Sequence, residues 1–462
     1  MTSLEKQKAL VFSEKPKVHL VKPCSIDKGI LRLKAADQDL LKQQFLSHKN
    51  DLCFFIPASG SGSRMFEFLH NFFKDSTHKD RNKVERFLNS LSDLALYRII
   101  SPEIREELDS GAMDLKTFAS YIVDDHGLGL GNLPKGLIPF HENSYFILNP
   151  FQEHVLQICS SFSDKTKIHF TINKRFEEAI GASVDLAKAM SAYNPEVSFS
   201  EQNPDSDSYV FYTNHEAVQS TDGNFLRRPS GHGALLDNLN NLKERFIFIK
   251  NIDNIQHFNH DTSVNDFAML GGLLYKLNED LLGIQNAEPE SKRELLIALN
   301  KKYELFFSEE HIPKDAESLN RWLSRPKRVC GMVKNEGQPG GGPFWVERDG
   351  IIDKQIVEKA QISDDGNQLS ILLKSTHFNP VMLACDTHDL KGNKLDLMSF
   401  SDPMSYMVVE KNQNGENVYF VEKPGLWNGG MADWITIFVE ISSNSFSPVK
   451  DVLNLLDAKH RP

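Results

Sequence analysis

Residues 51–65, with the sequence DLCFFIPASGSGSRM, decide the fold class of this chain. The apolar run from Asp51 to Ile56 predicts a short buried strand, which ends at Pro57 and a cluster of glycines and serines. A helical pattern begins at about residue 65. A strand that runs through a glycine-rich loop into a helix is suited to binding phosphate, because the loop amides and the helix N-terminus carry partial positive charge.

Arg64 lies at the end of this loop, and its guanidinium fork matches two phosphate oxygens. The loop is not a Walker motif, since no Gly-Lys-Ser/Thr ends it, and it lacks the spacing of the Rossmann glycine fingerprint. From the residues alone, phosphate binding and a plain strand-to-helix turn are equally supported.

Outward from this loop, the first two-thirds of the chain alternates helices and strands. Helical patterns occupy about residues 33–48, 65–125, 174–190, 265–282, 290–307 and 315–323, and buried strands are predicted at 167–172, 197–200 and 245–251. After Pro326 the chain is strand-rich, with strands predicted at 328–334, 344–347, 354–360, 381–385 and 434–441. This order predicts an α/β fold with a mostly parallel mixed sheet covered by helices. Ligands on such sheets bind beyond the carboxyl ends of the strands.

Composition excludes several classes of protein. The chain has 462 residues, 40% of them apolar and 25% charged, which excludes a disordered or low-complexity protein. Its net charge of −11 disfavours nucleic acid and anionic membranes as partners. Five scattered cysteines without a CxxC indicate a reducing compartment and no zinc site. With no signal-peptide pattern and no apolar run of about 18 residues, a cytoplasmic protein without membrane contact is expected. The oligomeric state is not set by composition.

Three further loops carry candidate ligand-binding residues. Lys135 lies between Pro134 and Gly136 and is either a phosphate-neutralising charge or an ordinary surface lysine. The segment Gly231-His232-Gly233 opens a helix, and its glycines allow a planar ligand or another backbone to approach closely. Asp253 follows a buried strand and suits either Mg²⁺ beside substrate phosphates or an Asx turn.

The order of these segments resembles the uridylyl-transferring pyrophosphorylases, which make nucleotide-diphosphate sugars. The segments that correspond are 58–65, Pro134-Lys135, 229–233 and Asp253, together with Gln202 and a Val-Glu element ending at Glu358. The chain is also identified as a member of the domain of unknown function 4301 (DUF4301) family. That second resemblance rests on segments 325–345, 375–380 and 425–440, and it implies a fold more firmly than a reaction.

The first resemblance implies a nucleotide-diphospho-sugar transferase-like core of the glycosyltransferase-A type and a role for each segment. Catalysis is assigned to Arg64, Lys135 and Asp253, acting on a UTP-like nucleoside triphosphate and a sugar 1-phosphate or similar small phosphorylated acceptor, with release of pyrophosphate. Mg²⁺ is assigned to Asp253 and to Asp433, with Asn428 as the lesser option. The nucleotide is assigned to Ala58, Ser59, Gly60, Ser61, Gly62, Ser63, Gln202, Gly231, His232 and Gly233. The acceptor is assigned to Lys334, Asn335, Glu336, Glu358 and Asn379.

The sequence also departs from that family. Ser59 replaces the usual first glycine of the loop, and a helical insertion at about 66–131 separates Arg64 from Lys135, which leaves open whether the two lie together. We expect a lead-in and helix at 1–50, the core with its insertion at 51–325, and a strand-rich part at 326–462 that completes the site.

A competing hypothesis is a non-catalytic nucleotide or sugar-nucleotide binding protein on the same fold. Either function requires a basic pocket in an acidic chain. Arg64 and Lys135 should therefore converge with one or more of Lys174, Arg227 and Lys334.

Overall fold

The computed structural model describes residues 3–48, 51–74, 80–143, 145–191, 193–220, 222–258, 260–337, 340–413 and 416–461. The chain divides into two compact units, each built from separate stretches of sequence. The larger unit contains residues 1–53, 202–249 and 265–443, and the smaller unit contains residues 54–201, 250–264 and 444–462. Contiguous parts were expected from the sequence, whereas each of these units combines three stretches that are far apart in the chain.

The smaller unit contains the glycine-rich loop. Its strands are Leu52–Pro57 (which begins in the larger unit), His141–Glu142, Ile147–Leu148, Lys167–Ile172 and Val197–Glu201. Its helices are Glu67–Lys74, Arg81–Asn89, Pro102–Asp109, Leu115–Val123, Pro150–Ser161 and Glu177–Met190. The strands at 167–172 and 197–201 pair in parallel, with Ile168 opposite Val197 and Ile172 opposite Glu201. This parallel pair with an intervening helix matches the sequence prediction.

The described residues between 66 and 131 form the helices Glu67–Lys74, Arg81–Asn89, Pro102–Asp109 and Leu115–Val123. Phe66, Phe87 and Phe118 are buried in one apolar core, which also includes Ile255 and Val449. Non-polar area removed from water is the main stabilising contribution to such a cluster. The insertion is thus packed onto the C-terminal segment of the smaller unit.

The larger unit is built on a mixed sheet. Its helices are Ser3–Phe12, Ala35–Ser47, Leu235–Asn241, Asp261–Asn286 (which begins in the smaller unit), Pro289–Tyr303, Ala316–Leu323 and Gly366–Leu373. Its strands are His19–Pro23, Ser25–Ile26, Gly29–Leu31, Ser208–Tyr209, Phe211–Tyr212, Arg227–Arg228, Phe246–Lys250 (which ends in the smaller unit), Lys327–Lys334, Gly342–Arg348, Ile351–Val357, His377–Phe378, Met382–Asp386, Met407–Gln413, Glu416–Glu422 and Ile435–Glu440. The central strand Lys327–Lys334 pairs in parallel with Ile435–Glu440 and antiparallel with Met382–Asp386.

The structure differs from the expected lead-in at the start of the chain and adds two features that the sequence analysis did not predict. Between residues 3 and 31 the chain forms a helix and three short strands. The strand His19–Pro23 pairs antiparallel with Gly342–Arg348, a pairing that the polar local sequence does not reveal. A hairpin, Met407–Gln413 with Glu416–Glu422, was not predicted. With these pairs the strands outside the parallel core are largely antiparallel.

Two further observations concern the cysteines and membranes. All five cysteines are buried free thiols. Among the described residues, no helix is both long and apolar enough to cross a bilayer.

Candidate functional site

The glycine-rich loop is anchored at both ends by backbone hydrogen bonds within the smaller unit. The N–H of Ala58 donates to the carbonyl of Thr171 (2.9 Å), and the N–H of Gly62 donates to the carbonyl of Leu133 (2.8 Å). A Cβ at Gly62 would lie 2.3 Å from the Ile138 side chain and 3.1 Å from the Leu133 carbonyl oxygen, so this position has no room for a side chain. The chain needs glycine here because another backbone approaches closely.

Not every loop amide can bind a phosphate. The Gly62 N–H is already used, contrary to the expectation that the amides of both glycines face a ligand. The N–H groups of Ser59, Gly60 and Ser61 donate to nothing in the described part of the chain. Gly60 and Ser61 are exposed, and the Ser61 and Ser63 hydroxyls lie 2.9 Å apart. The open side of the loop is therefore its stretch from Ser59 to Ser61.

Lys135, which follows the helical insertion, lies next to this loop. The backbone N–H of Lys135 donates to the carbonyl of Gly60 (3.1 Å), and Ser61 forms a β-bridge with Pro134. The two predicted phosphate-binding segments therefore lie side by side despite the helices between them. This answers the question that the sequence left open.

Lys135, Asp253 and Lys450 form a buried charge cluster. The Nζ of Lys135 donates to Oδ2 of Asp253 and to the carbonyl of Val449, both at 3.0 Å. Lys450 donates to the same Oδ2 at 2.8 Å. The side chains of Lys135 and Asp253 are 13% and 8% exposed, whereas that of Lys450 is 58% exposed. Oδ2 of Asp253 thus accepts hydrogen bonds from two ammonium groups, of which that of Lys135 is buried and that of Lys450 is largely exposed.

The electrostatics of the cluster follow from this geometry. Burial favours the neutral form of Asp253, but the attraction of Lys135 and Lys450 outweighs it, so the pKa of Asp253 is lowered. Burial lowers the pKa of Lys135, and Asp253 partly opposes that shift. The positive charges of Lys450 and Arg64 also lower the pKa of Lys135, so Arg64 lies near enough for its charge to act on this lysine. The Arg64 side chain is exposed, and its guanidinium has no partner in the described part of the chain.

Sequence reasoning missed Lys450. The C-terminal segment places it, because the Val449 N–H donates to the Asp253 carbonyl (3.0 Å) and Asn254 forms a β-bridge with Pro448. No local motif marks this lysine, which lies 197 residues beyond Asp253. Of the other expected basic residues, Lys174 is exposed in the smaller unit, and Arg227 instead stacks on Tyr209 in the larger unit.

The larger unit brings together a second group of predicted residues around His232. Gly231 has φ of +71°, and a Cβ at Gly233 would lie 2.3 Å from the Pro424 carbonyl oxygen. The Nδ1 of His232 accepts a hydrogen bond from the Leu426 backbone N–H (3.1 Å), so its proton is on Nε2, which faces Glu358 at 3.5 Å. The His232 ring stacks on Trp427, with centroids 4.2 Å apart.

Three side-chain amides of the larger unit differ in how many of their hydrogen-bonding groups already have a protein partner. Asn379 donates to the Gly331 carbonyl and accepts from the Val381 N–H, which holds Val381 at a φ of +59°. Its amide is therefore committed to backbone, and sugar contact by Asn379 stays a prediction. Asn428 donates to the Ile356 carbonyl (3.0 Å), and its buried Oδ1 accepts nothing from the described residues. Gln202 likewise has a buried Nε2 without a partner there.

The other acceptor and metal candidates lie in two places of the larger unit. Lys334, Asn335 and Glu336 are exposed at the end of the central strand, and the Asn335 side chain accepts from the Gly337 N–H. Asp433 forms an ion pair with Arg348, which also faces Asp402 at 3.6 Å. A carboxylate paired in this way serves the structure first, and its role as a metal ligand stays a prediction.

Comparisons with known proteins identify the family. The chain belongs to the family described as Domain of unknown function (DUF4301), whose model matches residues 1–461. This confirms the membership predicted from its sequence motifs. No curated protein sequence matches the chain.

Solved structures show a likeness in fold. The chain is similar to the uridine diphosphate N-acetylglucosamine pyrophosphorylase from Trypanosoma brucei, solved in complex with an inhibitor, with a TM-score of 0.51 and 12% identity over 98% of this chain and 74% of that one. A UDP-glucose phosphorylase from Trypanosoma brucei matches with a TM-score of 0.43 and 12% identity, over 97% and 73% of the two chains. At such identity the first likeness concerns the fold alone, an α/β fold with a mixed sheet and helices.

Proposed function

We propose that this protein transfers a nucleotidyl group from a UTP-like nucleoside triphosphate to a sugar 1-phosphate or a similar small phosphorylated acceptor. Pyrophosphate is the second product. The observation that carries the proposal is the smaller unit's convergence of the glycine-rich loop, Lys135 and Asp253 through direct hydrogen bonds. The likeness in fold to a sugar-nucleotide pyrophosphorylase supports it.

The reaction requires positioning and charge neutralisation more than proton transfer. An oxygen of the acceptor phosphate attacks the α-phosphorus, and the bond from that phosphorus to the oxygen bridging to the β-phosphate breaks. The pyrophosphate leaves with that electron pair. The attacking phosphate is already anionic, so no general base is needed. The enzyme must align the phosphates and offset the charge that builds on them.

The smaller unit supplies groups suited to both tasks. The open amides from Ser59 to Ser61 and the exposed guanidinium of Arg64 would hold the outer phosphates of the triphosphate. Lys135 would offset charge at the reacting phosphate. Its Nζ donates to Oδ2 of Asp253, so phosphate oxygens would compete with this carboxylate for the ammonium group.

Mg²⁺ is part of the proposal, and one observation bears on its fit. Oδ1 of Asp253 is buried and accepts no hydrogen bond from the described residues, which leaves an oxygen of the kind Mg²⁺ prefers. Asp253 would hold the ion. Asp433, which pairs with Arg348 in the larger unit, is kept as a separate candidate for a metal ligand. When bound, the ion would supply charge neutralisation on the phosphates.

In the larger unit the proposal assigns the nucleobase to the segment from Gly231 to Gly233 on the resemblance in motif order, because Glu422 and the Pro424 backbone fill the space beside these two glycines. Gln202 is assigned to the same ligand, because its buried amide nitrogen lacks a described partner. Glu358, beside His232, is assigned to hydroxyls of the acceptor. The proposal also keeps four further contacts to the acceptor substrate: Lys334, Asn335, Glu336 and Asn379.

A screen for pyrophosphate release tests this function. Four nucleoside triphosphates are combined with a panel of sugar 1-phosphates and Mg²⁺, and pyrophosphate is measured by a coupled enzyme assay. We expect turnover with at least one pair and its loss in Asp253→Ala and Arg64→Ala. Lys165→Met is the matched control, because Lys165 is an exposed cation of the same unit that precedes the strand Lys167–Ile172. Turnover that survives both alanine variants would contradict the assignment.

The alternative of a non-catalytic nucleotide-binding protein has one observation in its favour. Two ammonium groups already occupy Oδ2 of Asp253, so the carboxylate is neutralised before any cation arrives. Tight nucleotide binding, weakened by Arg64→Ala, without turnover on any acceptor would select this function over the first.

A further inference from the structure

Three side chains of the smaller unit converge outside the phosphate-binding cluster. Nδ1 of His141 and Nδ1 of His257 each lie 2.9 Å from the same oxygen, Oε1 of Glu153. One ligand atom from each residue lies within 4.8 Å of the other two. Nothing in the proposed nucleotidyl transfer uses these residues.

Different elements hold the three side chains in place. His141 begins the strand His141–Glu142, and Glu153 lies in the first turn of the helix Pro150–Ser161, whose start is fixed by a capping box at Asn149. The side chains of His141 and Glu153 are 2% and 3% exposed, and that of His257 is 16% exposed. Burying a carboxylate this deeply is costly unless positive charge or hydrogen bonds compensate it.

A fourth side chain holds the His141 ring on the side opposite Glu153. Nδ1 of His460 lies 2.9 Å from Nε2 of His141, and the His460 ring also hydrogen-bonds the backbone of Ser447. His141 is thereby held between two partners, with its Nδ1 directed at Oε1 of Glu153.

A cavity gives this cluster an open side. Its volume is about 310 Å³, and Glu153, Gln157, His257 and His260 are among the residues that line it. Gln157 donates to Oε2 of Glu153 at 3.3 Å, so the carboxylate is held while Oε1 faces the imidazoles. A bound ion could therefore keep a water or a small anion as a further ligand.

We propose that His141, Glu153 and His257 bind a divalent transition-metal ion, with Zn²⁺ as the best match. Two imidazoles and one carboxylate with an open position are typical of zinc sites that retain a water ligand. Imidazole nitrogens disfavour Mg²⁺ and Ca²⁺, which take oxygen ligands. His460 orients His141 through its second ring nitrogen, as such partners do in metal sites. The site is independent of the nucleotidyl-transfer proposal.

The sequence prediction of no zinc site rested on cysteines, and histidines supply the nitrogen ligands here. The three ligands lie 12 and 104 residues apart, a spacing that matches no short metal-binding motif. Only the folded chain brings them together.

Metal titration of the full-length protein tests the site. The protein is stripped with a chelator and titrated with Zn²⁺ by isothermal titration calorimetry, and Co²⁺ is added separately to record its visible absorption. We expect a single Zn²⁺ per chain and Co²⁺ bands typical of nitrogen and oxygen ligands. His257→Gln should weaken Zn²⁺ binding by at least about 100-fold, and His460→Gln by roughly 10- to 100-fold.

The matched control is His260→Gln, because His260 lines the same cavity and its Nε2 lies 3.8 Å from Oδ1 of Asp261. This variant should bind Zn²⁺ as tightly as the unmodified chain. Absence of Zn²⁺ binding, equal binding by His257→Gln, or equal loss in His260→Gln would overturn the proposal. Should His257→Gln fail to fold, judged by circular dichroism, the Co²⁺ spectrum of the unmodified protein decides, and absence of its bands would reject the site.

Discussion

Replacing Lys135 by Met removes the buried one of the two ammonium groups that hold Oδ2 of Asp253. Removing one partner of a buried ion pair costs about 3–5 kcal/mol when the other charge is left alone. Here Lys450 remains at 2.8 Å from the carboxylate, so we expect a smaller loss, about 2 kcal/mol in the free energy of unfolding. The same substitution at Lys450, whose side chain is 58% exposed, should cost about 0.5 kcal/mol, as for surface pairs.

Urea denaturation of the two single variants and the double variant measures these costs. The double variant leaves the buried Asp253 carboxylate without either ammonium group, so its loss should exceed the sum of the single losses by about 1 kcal/mol or more. The two substitutions remove the same group from the same oxygen and differ in burial, which makes them matched controls for each other. A larger loss from Lys450→Met than from Lys135→Met, or strict additivity, would refute this reasoning.

Two further predictions concern a glycine and a buried lysine. Gly62→Ala should destabilise the protein by about 1–3 kcal/mol, because the new Cβ would clash with the Ile138 side chain and the Leu133 carbonyl oxygen. Gly60→Ala is the control, because a Cβ there has open space and should change thermal stability little. Equal effects of the two substitutions would contradict the close packing described at Gly62. Complete burial lowers the pKa of Lys354 to about 8 from an ordinary value of 10.5, so its folded-state charge costs stability below pH 8. That cost is relieved as pH rises from about 8 to 10.5, because the folded chain loses the proton before the unfolded chain does. The free energy of unfolding of Lys354→Met relative to the unmodified chain, measured by urea denaturation, should therefore fall by roughly 3 kcal/mol across this window. A difference that does not change with pH would exclude the lowered pKa.

Local sequence patterns were sufficient for most of the core. The apolar run before Pro57 became the strand Leu52–Pro57, and the alternation near 167–201 became a parallel pair around a helix. Such elements are predictable because burial on both faces imposes a continuous apolar run, and helix packing imposes a period of 3.6 residues. The family membership was also predicted correctly from motifs.

Pairings between distant segments were not predictable in this way. Residues 1–30 are polar, yet His19–Pro23 forms a strand because Gly342–Arg348 supplies its hydrogen-bonding partner. The exposed hairpin strands Met407–Gln413 and Glu416–Glu422 carry many polar residues, which weakens the alternating signal. The Asn-Gly dipeptide at 414–415 is a sequence signal for a hairpin turn that could have identified them.

The candidate site shows the same limit. Arg64, Lys135 and Asp253 were proposed from the loops that follow strands, and the structure places them in one electrostatic field. Lys450 was missed because its position depends on a long-range bridge between Asn254 and Pro448. The roles of all these residues in binding and catalysis stay predictions until activity is measured.

The rate of pyrophosphate release by Lys135→Met, compared with Lys165→Met, tests the central claim most directly. With the nucleotide and acceptor pair selected by the screen, we expect Lys135→Met to lower kcat by roughly 10²–10³-fold, as the loss of one group that stabilises transition-state charge does. Lys165→Met should retain the kcat of the unmodified chain, because Lys165 is exposed and precedes the strand Lys167–Ile172, whereas the loop bonds that strand near its carboxyl end, at Thr171. An unchanged kcat in Lys135→Met, with the variant folded, would contradict the claim that this cluster carries the reaction.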